Sequence, residues 1–266
     1  MYSEYYPSHL NSTIINEVST KTIKKEDVTI VVPTLNEENA IELVLKDVLL
    51  EGYPKTIVID GNSIDDTISI AKKMQVPVYL QSGRGKTGAI KTALKYIETP
   101  YLGVIDGDCT YSAKDIEKLL EKAQFYSQVI GARRDRVNIK AFNRFGNRVI
   151  NLLFNLLFGT RLSDVCSGLY VLNTSFAKEL VLETSGFDVE VEIAAQAAKN
   201  GKIAEVPISY GRRIGTQKLN PIRDGVVISS SILKLSRRHN PFRFYSYLSG
   251  LLLVAVGFGY IVFSFI

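Results

Sequence analysis

Asp106 and Asp108 stand two residues apart, across Gly107, where the apolar run from Tyr101 to Ile105 ends. In a strand or at its immediate exit, side chains two apart point the same way, so both carboxylates are expected to face one crevice. Like charges held that close repel each other unless a cation lies between them, and carboxylate oxygens favour magnesium or manganese. The chemistry this predicts is a divalent ion carrying a diphosphate. A plainer reading of the same residues is a turn, with Asp108 capping a helix that starts near Ala113. Only His9 and His239 are present, both near the chain's ends, which argues against a histidine zinc site or a Ser-His-Asp triad.

These acids need elements to position them, and the chain supplies an alternation of strand and helix. Thr29 to Val32 is a short β-branched run stopped by Pro33; Ile41, Val44, Leu45, Val48 and Leu49 then recur at helical spacing, from a start near Glu38. Thr56 to Ile59 reads as a strand, Asp66 to Met74 as a helix, Val76 to Leu80 as a strand and Gly85 to Tyr96 as a helix. Such alternation predicts an α/β fold with a mostly parallel sheet and ligands at the strands' carboxyl ends. Loops at those ends carry Asn36-Glu37-Glu38, Asp60, Asp65-Asp66, Arg84 with Lys86, and the aspartate pair. One crevice would collect acids for a base, ribose or metal, and cations for phosphate.

Gly83-Arg84-Gly85-Lys86-Thr87-Gly88 fits the glycine spacing of a dinucleotide-binding turn, with Asp106 following at a suitable distance. A nicotinamide-dependent oxidoreductase of Rossmann type is therefore a second functional class. Against it, the motif sits in the third strand-helix unit, two cations lie inside the loop, and the second aspartate has no role on a ribose hydroxyl. The same residues resemble the end of a P-loop, but Leu80 stands where that motif needs glycine.

Past Gly131 the pattern changes. Arg133, Arg134, Arg136, Lys140, Arg144 and Arg148 precede an apolar stretch in which Asn143, Asn147, Asn151 and Asn155 recur every four residues. This predicts a helix with one polar stripe, suited either to a membrane interface or to covering the sheet. Glu190 and Glu192 open another predicted helix, and one of them is a candidate for positioning donor or acceptor. Gly211 to Lys218 is a flexible basic loop in which Arg212, Arg213 and Lys218 would clamp phosphate. Arg237, Arg238 and Arg243 lead into an uncharged run from Phe244 to Ile266, long enough for the ~20 residues of a transmembrane helix and oriented by its basic flank with the preceding domain cytoplasmic. Residues 1–25 are polar, unlike a signal peptide, and read as a tail.

The bulk numbers agree. A chain of 266 residues can bury one sizeable core, and a hydrophobic content of 46% suggests membrane contact as well. A net charge of +5 suits anionic ligands or an anionic lipid surface. No nucleic-acid module is recognisable, so nucleic acid is not an expected partner. Cys109 and Cys166 form no CxxC and read as reduced thiols.

Taken together, Val32-Pro33-Thr34-Leu35-Asn36-Glu37-Glu38, Val58-Ile59-Asp60-Gly61-Asn62-Ser63 with Asp65 and Thr67, Gly83 to Lys86, Asp106-Gly107-Asp108, Asp164-Val165-Cys166-Ser167-Gly168, Glu205-Val206-Pro207-Ile208 and Arg213 through Lys218 resemble the family-2 inverting glycosyltransferases, within them the dolichol-phosphate mannose or glucose synthase group. The resemblance runs from about Val28 to Asn220. It implies a GT-A fold over residues 26–221, a basic juxtamembrane segment at 222–243 and a transmembrane helix at 244–266. It further implies transfer of a hexose from a nucleotide diphosphate sugar, of GDP-mannose or UDP-glucose type, to polyprenyl or dolichyl phosphate at the cytoplasmic face of a cell membrane or endomembrane, with room for a homo-oligomer. By position, Pro33, Asn36, Glu37, Asp60, Asp65, Arg84 and Lys86 would bind nucleotide. Asp106 and Asp108 would hold Mg2+ or Mn2+ and, with Arg213, carry the catalytic role. Arg133, Arg144, Asp164, Arg212 and Lys218 would meet acceptor and phosphate. The chain departs from the family where Cys109-Thr110-Tyr111 replaces leucine, glutamine and histidine, where Gly61 replaces a second aspartate, and where Gly215-Thr216-Gln217-Lys218 differs from Gly-Glu-Ser-Lys. A relative that extends a glycan on a hydroxyl acceptor would instead need a base, for which Asp164, Glu190 or Glu192 are candidates. A non-catalytic membrane scaffold is the remaining class.

Overall fold

The computed structural model describes residues 22–264 except 135, 136, 185, 217 and 219. Most of the expected N-terminal tail, along with Arg136 and Gln217, therefore lies outside the described residues.

In chain order the elements are β1 (Val28–Thr34), α1 (Ile41–Leu50), β2 (Thr56–Asp60), α2 (Thr67–Lys73), β3 (Val78–Leu80), α3 (Gly85–Ala93), β4 (Tyr101–Val104), α4 (Lys114–Ala123), β5 (Gln128–Arg133), α5 (Ala141–Phe158), β6 (Tyr170–Asn173), α6 (Thr174–Glu179), α7 (Val189–Lys199), β7 (Ile203–Ile208), α8 (Pro221–His239) and α9 (Pro241–Ser264). The strands form one sheet in the order β3-β2-β1-β4-β6-β5-β7. The sheet is mostly parallel, as expected, with β6 running antiparallel to both β4 and β5. The predicted α1 begins later than Glu38, because the Glu37 carbonyl accepts the amides of Ala40 and Ile41 in a preceding turn.

Period two in the strands sorts side chains to two faces. Ile30 and Val32 of β1 pack with Ile41, Val44, Leu45 and Val48 of α1 and with Ile116 and Leu119 of α4. Val31 points to the other face, among Ala89, Ile90 and Ala93 of α3. Burial on both faces explains why these strands read as continuous apolar runs. A third cluster joins Phe154 and Leu157 of α5 to Val191 and Ala194 of α7 and to Ile228 and Ile232 of α8.

Of the two readings of α5, the core one is seen directly. Its inner face is core, while Phe145, Val149, Leu152 and Leu156 are exposed. Asn151 and Asn155 fasten the 160–165 loop through Ser163, Val165 and Leu162, and the helix ends at Gly159 in a left-handed cap. Asn220 caps α8 through the amides of Ile222 and Arg223, with proline at the first turn. α9 spans 24 residues with mean hydropathy 1.9 over its most apolar window, none of which is buried, and is the one helix long and apolar enough to cross a membrane among the described residues. At ~1.5 Å per residue it reaches the thickness of a bilayer core.

Candidate active site

The carboxyl ends of β1, β2 and β4 open into a cavity of about 890 Å3, which α5 and α8 also line. Asp106 and Asp108 both line it, in the turn that follows the last residue of β4. The turn reading fails at one point: the amide of Ala113 at the start of α4 is met by Asp47 Oδ2 at 2.7 Å, not by Asp108.

Each aspartate faces a cation that a second acid also holds. Lys86 Nζ lies 2.5 Å from Asp106 Oδ1 and 2.7 Å from Glu190 Oε1, in a largely buried triad. Arg213 places Nη1 2.5 Å from Asp108 Oδ2 and Nη2 2.7 Å from Glu37 Oε1, where Lys218 Nζ joins at 2.5 Å. The other oxygen of Asp108 accepts the Thr110 amide at 3.0 Å and its hydroxyl at 2.5 Å. Burial is the largest influence on Asp106 and, with neighbouring Asp108, outweighs Lys86, so its carboxyl titrates above the ordinary value. Burial likewise raises Glu37 and Glu190 against their cationic partners. Lys86 is driven the opposite way to its burial, well above a normal lysine, by Asp106 and Glu190.

The basic loop is stitched over these acids. Gly211 N–H donates to the Thr110 carbonyl at 2.8 Å and Ile214 N–H to the Asp108 carbonyl at 3.0 Å. Lys218 also donates to the Leu35 carbonyl. Arg212, Arg213 and Lys218 therefore reach the cavity with Pro33, Glu37, Arg84 and Lys86, as does Arg133. The Arg133 guanidinium grips Asp164 through Nε and Nη2, both at 2.6 Å, and stacks 5.1 Å from the Tyr210 ring centre.

Five expected residues do not line this cavity. Asn36 adopts φ 50° and links its loop to the next one, its amide donating to Ser63 and its side-chain oxygen accepting from Ile64. Asp60 is wholly buried and accepts from Thr34 Oγ1, Ser63 N and Ser63 Oγ. Asp65 closes the start of α2 through Thr67. Asp164 is the internal partner of Arg133. Arg144 borders a separate shallow depression with Phe145 and Arg148.

Other residues enter that carried no assigned role. Gly168 packs against Asp106, whose carboxylate occupies the space a side chain would need, and Gly168 N–H donates to the buried Tyr111 Oη at 2.8 Å. Of the two α7 acids, Glu190 faces the cavity, whereas Glu192 accepts the amides of Glu183 and Thr184. The helical period, which turns residues two apart to nearly opposite sides, is the signal that could have separated them. In the glycine-rich turn, a Cβ at Gly88 would lie 2.9 Å from the Gly83 carbonyl carbon, so that glycine lets α3 pack on its own turn. A lysine from this turn held between two acids is not a backbone cradle for a pyrophosphate, which removes the main support for the oxidoreductase reading.

A divalent ion fits the donor set. Asp106 and Asp108 are hard ligands on one wall, and among the described residues no group of three or more His, Cys, Asp or Glu could hold a metal. Two carboxylates with the remaining positions left to water and phosphate is the coordination magnesium favours.

Residues 29–180 match the family described as Glycosyl transferase family 2. Glycosyltransferase AglJ of Haloferax volcanii is 36% identical over 240 residues, covering 87% of this chain and 79% of that protein. A dolichyl-phosphate hexose transferase of the same organism is 31% identical over 216 residues, covering 79% and 94%. Glucosyl-3-phosphoglycerate synthase of Mycobacterium tuberculosis, solved with Mn2+, UDP-glucose and phosphoglyceric acid, superposes with TM-score 0.64 at 21% identity, over 80% of this chain and 79% of that one. The GT-A fold implied by the sequence motifs is the fold found.

Proposed function

The chain belongs to glycosyl transferase family 2, and from that premise we propose that it moves one hexose from a nucleotide diphosphate sugar to a polyprenyl phosphate at a membrane surface, with inversion. The observation that carries this is the state of the acids around the cavity: Glu37, Asp106, Asp108 and Glu190 are each ion-paired to a lysine or arginine. Asp164, the remaining candidate base, is locked by Arg133. A hydroxyl acceptor needs a base to take its proton, and each of these acids already faces a cation that competes for that proton; a phosphate acceptor is already an anion and needs none. The dolichyl-phosphate hexose transferase among the relatives supports the same acceptor.

The chain's own residues then perform charge management. Arg213, Lys218 and Lys86 line the cavity and would neutralise the leaving diphosphate, while Arg133 and Arg212 would reduce the repulsion between two approaching anions. A magnesium or manganese ion held by Asp106 and Asp108 would add Lewis-acid stabilisation of the departing diphosphate. Attack in line from the α5–α8 side would invert the anomeric carbon. α9 anchors the lipid end of the reaction, and Arg237 and Arg238 at the end of α8 with Arg243 at the start of α9 favour a cytoplasmic catalytic domain.

The test is purified protein given a panel of nucleotide sugars and a divalent ion, with and without polyprenyl phosphate, the lipid products being resolved by mass. Hexosyl-phosphoryl lipid formed only with the lipid acceptor supports the proposal. Transfer to a sugar hydroxyl, with the lipid phosphate ignored, refutes it.

A further inference from the structure

Two helix-interior glycines line the cavity without any requirement from the fold. Gly146 shares the cavity-facing stripe of α5 with Asn143 and Ile150, and Gly225 shares that of α8 with Pro221 and Ile228. Neither has positive φ, and a Cβ at either would meet nothing within 4 Å. Gly88 and Gly168 differ, since there an added Cβ collides with the backbone or with Asp106. Glycine is the poorest helix former after proline, so helix stability alone would place alanine at both positions.

What the glycines supply is open volume, on the wall of the cavity formed by α5 and α8. That wall is amphiphilic: Asn143 and Asn147 stand beside Ile139, Phe142, Ile150 and Ile228. Phe142 lines the cavity and is also 60% exposed, so the lining continues outward onto the apolar faces of α5 and α8, both of which touch α9. A ligand with a phosphate at one end and an isoprenoid chain at the other matches this sequence of surfaces.

We infer that Gly146 and Gly225 keep open the path by which the acceptor's lipid chain runs from the cavity along α5 and α8 toward the membrane, and so select the acceptor without touching the reacting atoms. This rests on the reading of the acceptor as a polyprenyl phosphate. A branched side chain at either position would occupy the path; a methyl group would narrow it.

The experiment uses the full chain in lipid nanodiscs, with dolichyl phosphate as acceptor, and compares Gly146→Leu, Gly225→Leu and the two alanine variants. The leucine variants are expected to raise the KM for dolichyl phosphate by about tenfold or more, the scale set by overfilling a packed space. Nucleotide affinity by calorimetry and kcat at saturating acceptor should stay at wild-type values. The alanine variants should raise the KM less and the melting temperature slightly, which separates occupancy from helix damage; should leucine impair folding, the alanine KM values decide. A wild-type KM in the folded variants overturns this inference alone. Wild-type protein inert toward dolichyl phosphate but active on a hydroxyl acceptor overturns the functional reading, and the lipid path with it.

Discussion

Gly168→Ala moves Asp106 without altering its charge. A Cβ on Gly168 would lie 2.5 Å from Asp106 Cγ and 2.9 Å from Oδ1, inside the 3.0 Å that such contacts essentially never breach. The backbone has little room to retreat, because Gly168 N–H is tied to the buried Tyr111 Oη. The carboxylate, whose Oδ2 would be nearer still, must therefore shift by about 1 Å merely to clear that limit. Stretching the 2.5 Å Lys86–Asp106 pair by that amount weakens its attraction by about 2 kcal/mol at an effective dielectric of roughly 20. For a protein of this size the loss corresponds to a fall of roughly 4–8 °C in melting temperature. Because the displaced carboxylate is one of the two proposed metal ligands, turnover should drop by ~10²-fold, as when one preorganised electrostatic group is lost. Scanning fluorimetry, Mn2+ titration followed by electron paramagnetic resonance, and turnover with the best nucleotide sugar measure the three effects. Asp106→Asn, which removes charge in place, is the comparator. A folded Gly168→Ala protein with wild-type turnover and Mn2+ affinity would refute the reasoning.

Lys86→Met removes the cation that competes with an ion for Asp106, so Mn2+ should bind the nucleotide-free protein more tightly while turnover falls; unchanged or weaker binding by calorimetry counts against the competition. Without metal the same variant leaves Asp106 and Glu190 unpaired and should lose about 3–5 kcal/mol in urea unfolding. Glu37→Gln takes the shared acid from Arg213 and Lys218, so amide exchange at Gly211 and Ile214 should quicken while β1 stays protected; equal exchange in both proteins would mean that the loop does not depend on Glu37. At Asp115, burial raises the carboxyl but hydrogen bonds from Lys118 and Ser209 outweigh it and hold it below its usual value of 3.8. The unfolded state thus binds the proton more readily, and the stabilisation is complete above that value and lost as pH falls through the lower folded value. Asp115→Asn should accordingly flatten the acid limb of a stability–pH curve; an unchanged slope rejects the assignment.

The first half of the fold was legible because its signals are local. β-branched runs followed by apolar residues at helical spacing locate β1, α1, β2 and α2 to within a few residues, although β1 does not stop at Pro33 but continues through it to Thr34, paired with β2. β6 gave no such signal. Tyr170 to Asn173 is a four-residue strand whose place between β4 and β5, and whose reversed direction, follow from long-range pairing alone. In the site, the aspartate pair and the basic loop were readable from type and spacing. Asp60 marks the limit of that reading, because a buried acid at a strand end looks the same in sequence whether it lines the cavity or, as here, meets the amide and hydroxyl of Ser63. Gly168 escaped for a related reason: its function is to have no side chain beside a residue 62 positions earlier, which no local pattern records.

The alternation of acid and base in the centre has a consequence for how the enzyme would handle metal over its working cycle. Since the aspartates are already neutralised from within, the architecture does not rely on an ion to hold it together, unlike small zinc domains that collapse when stripped. Chelation should leave the protein folded, and an ion held by Asp106 and Asp108 would be able to exchange without loss of the fold. Fluctuating supply would then be registered as a change in rate, reversible within a turnover, and not as damage requiring the protein to be made again.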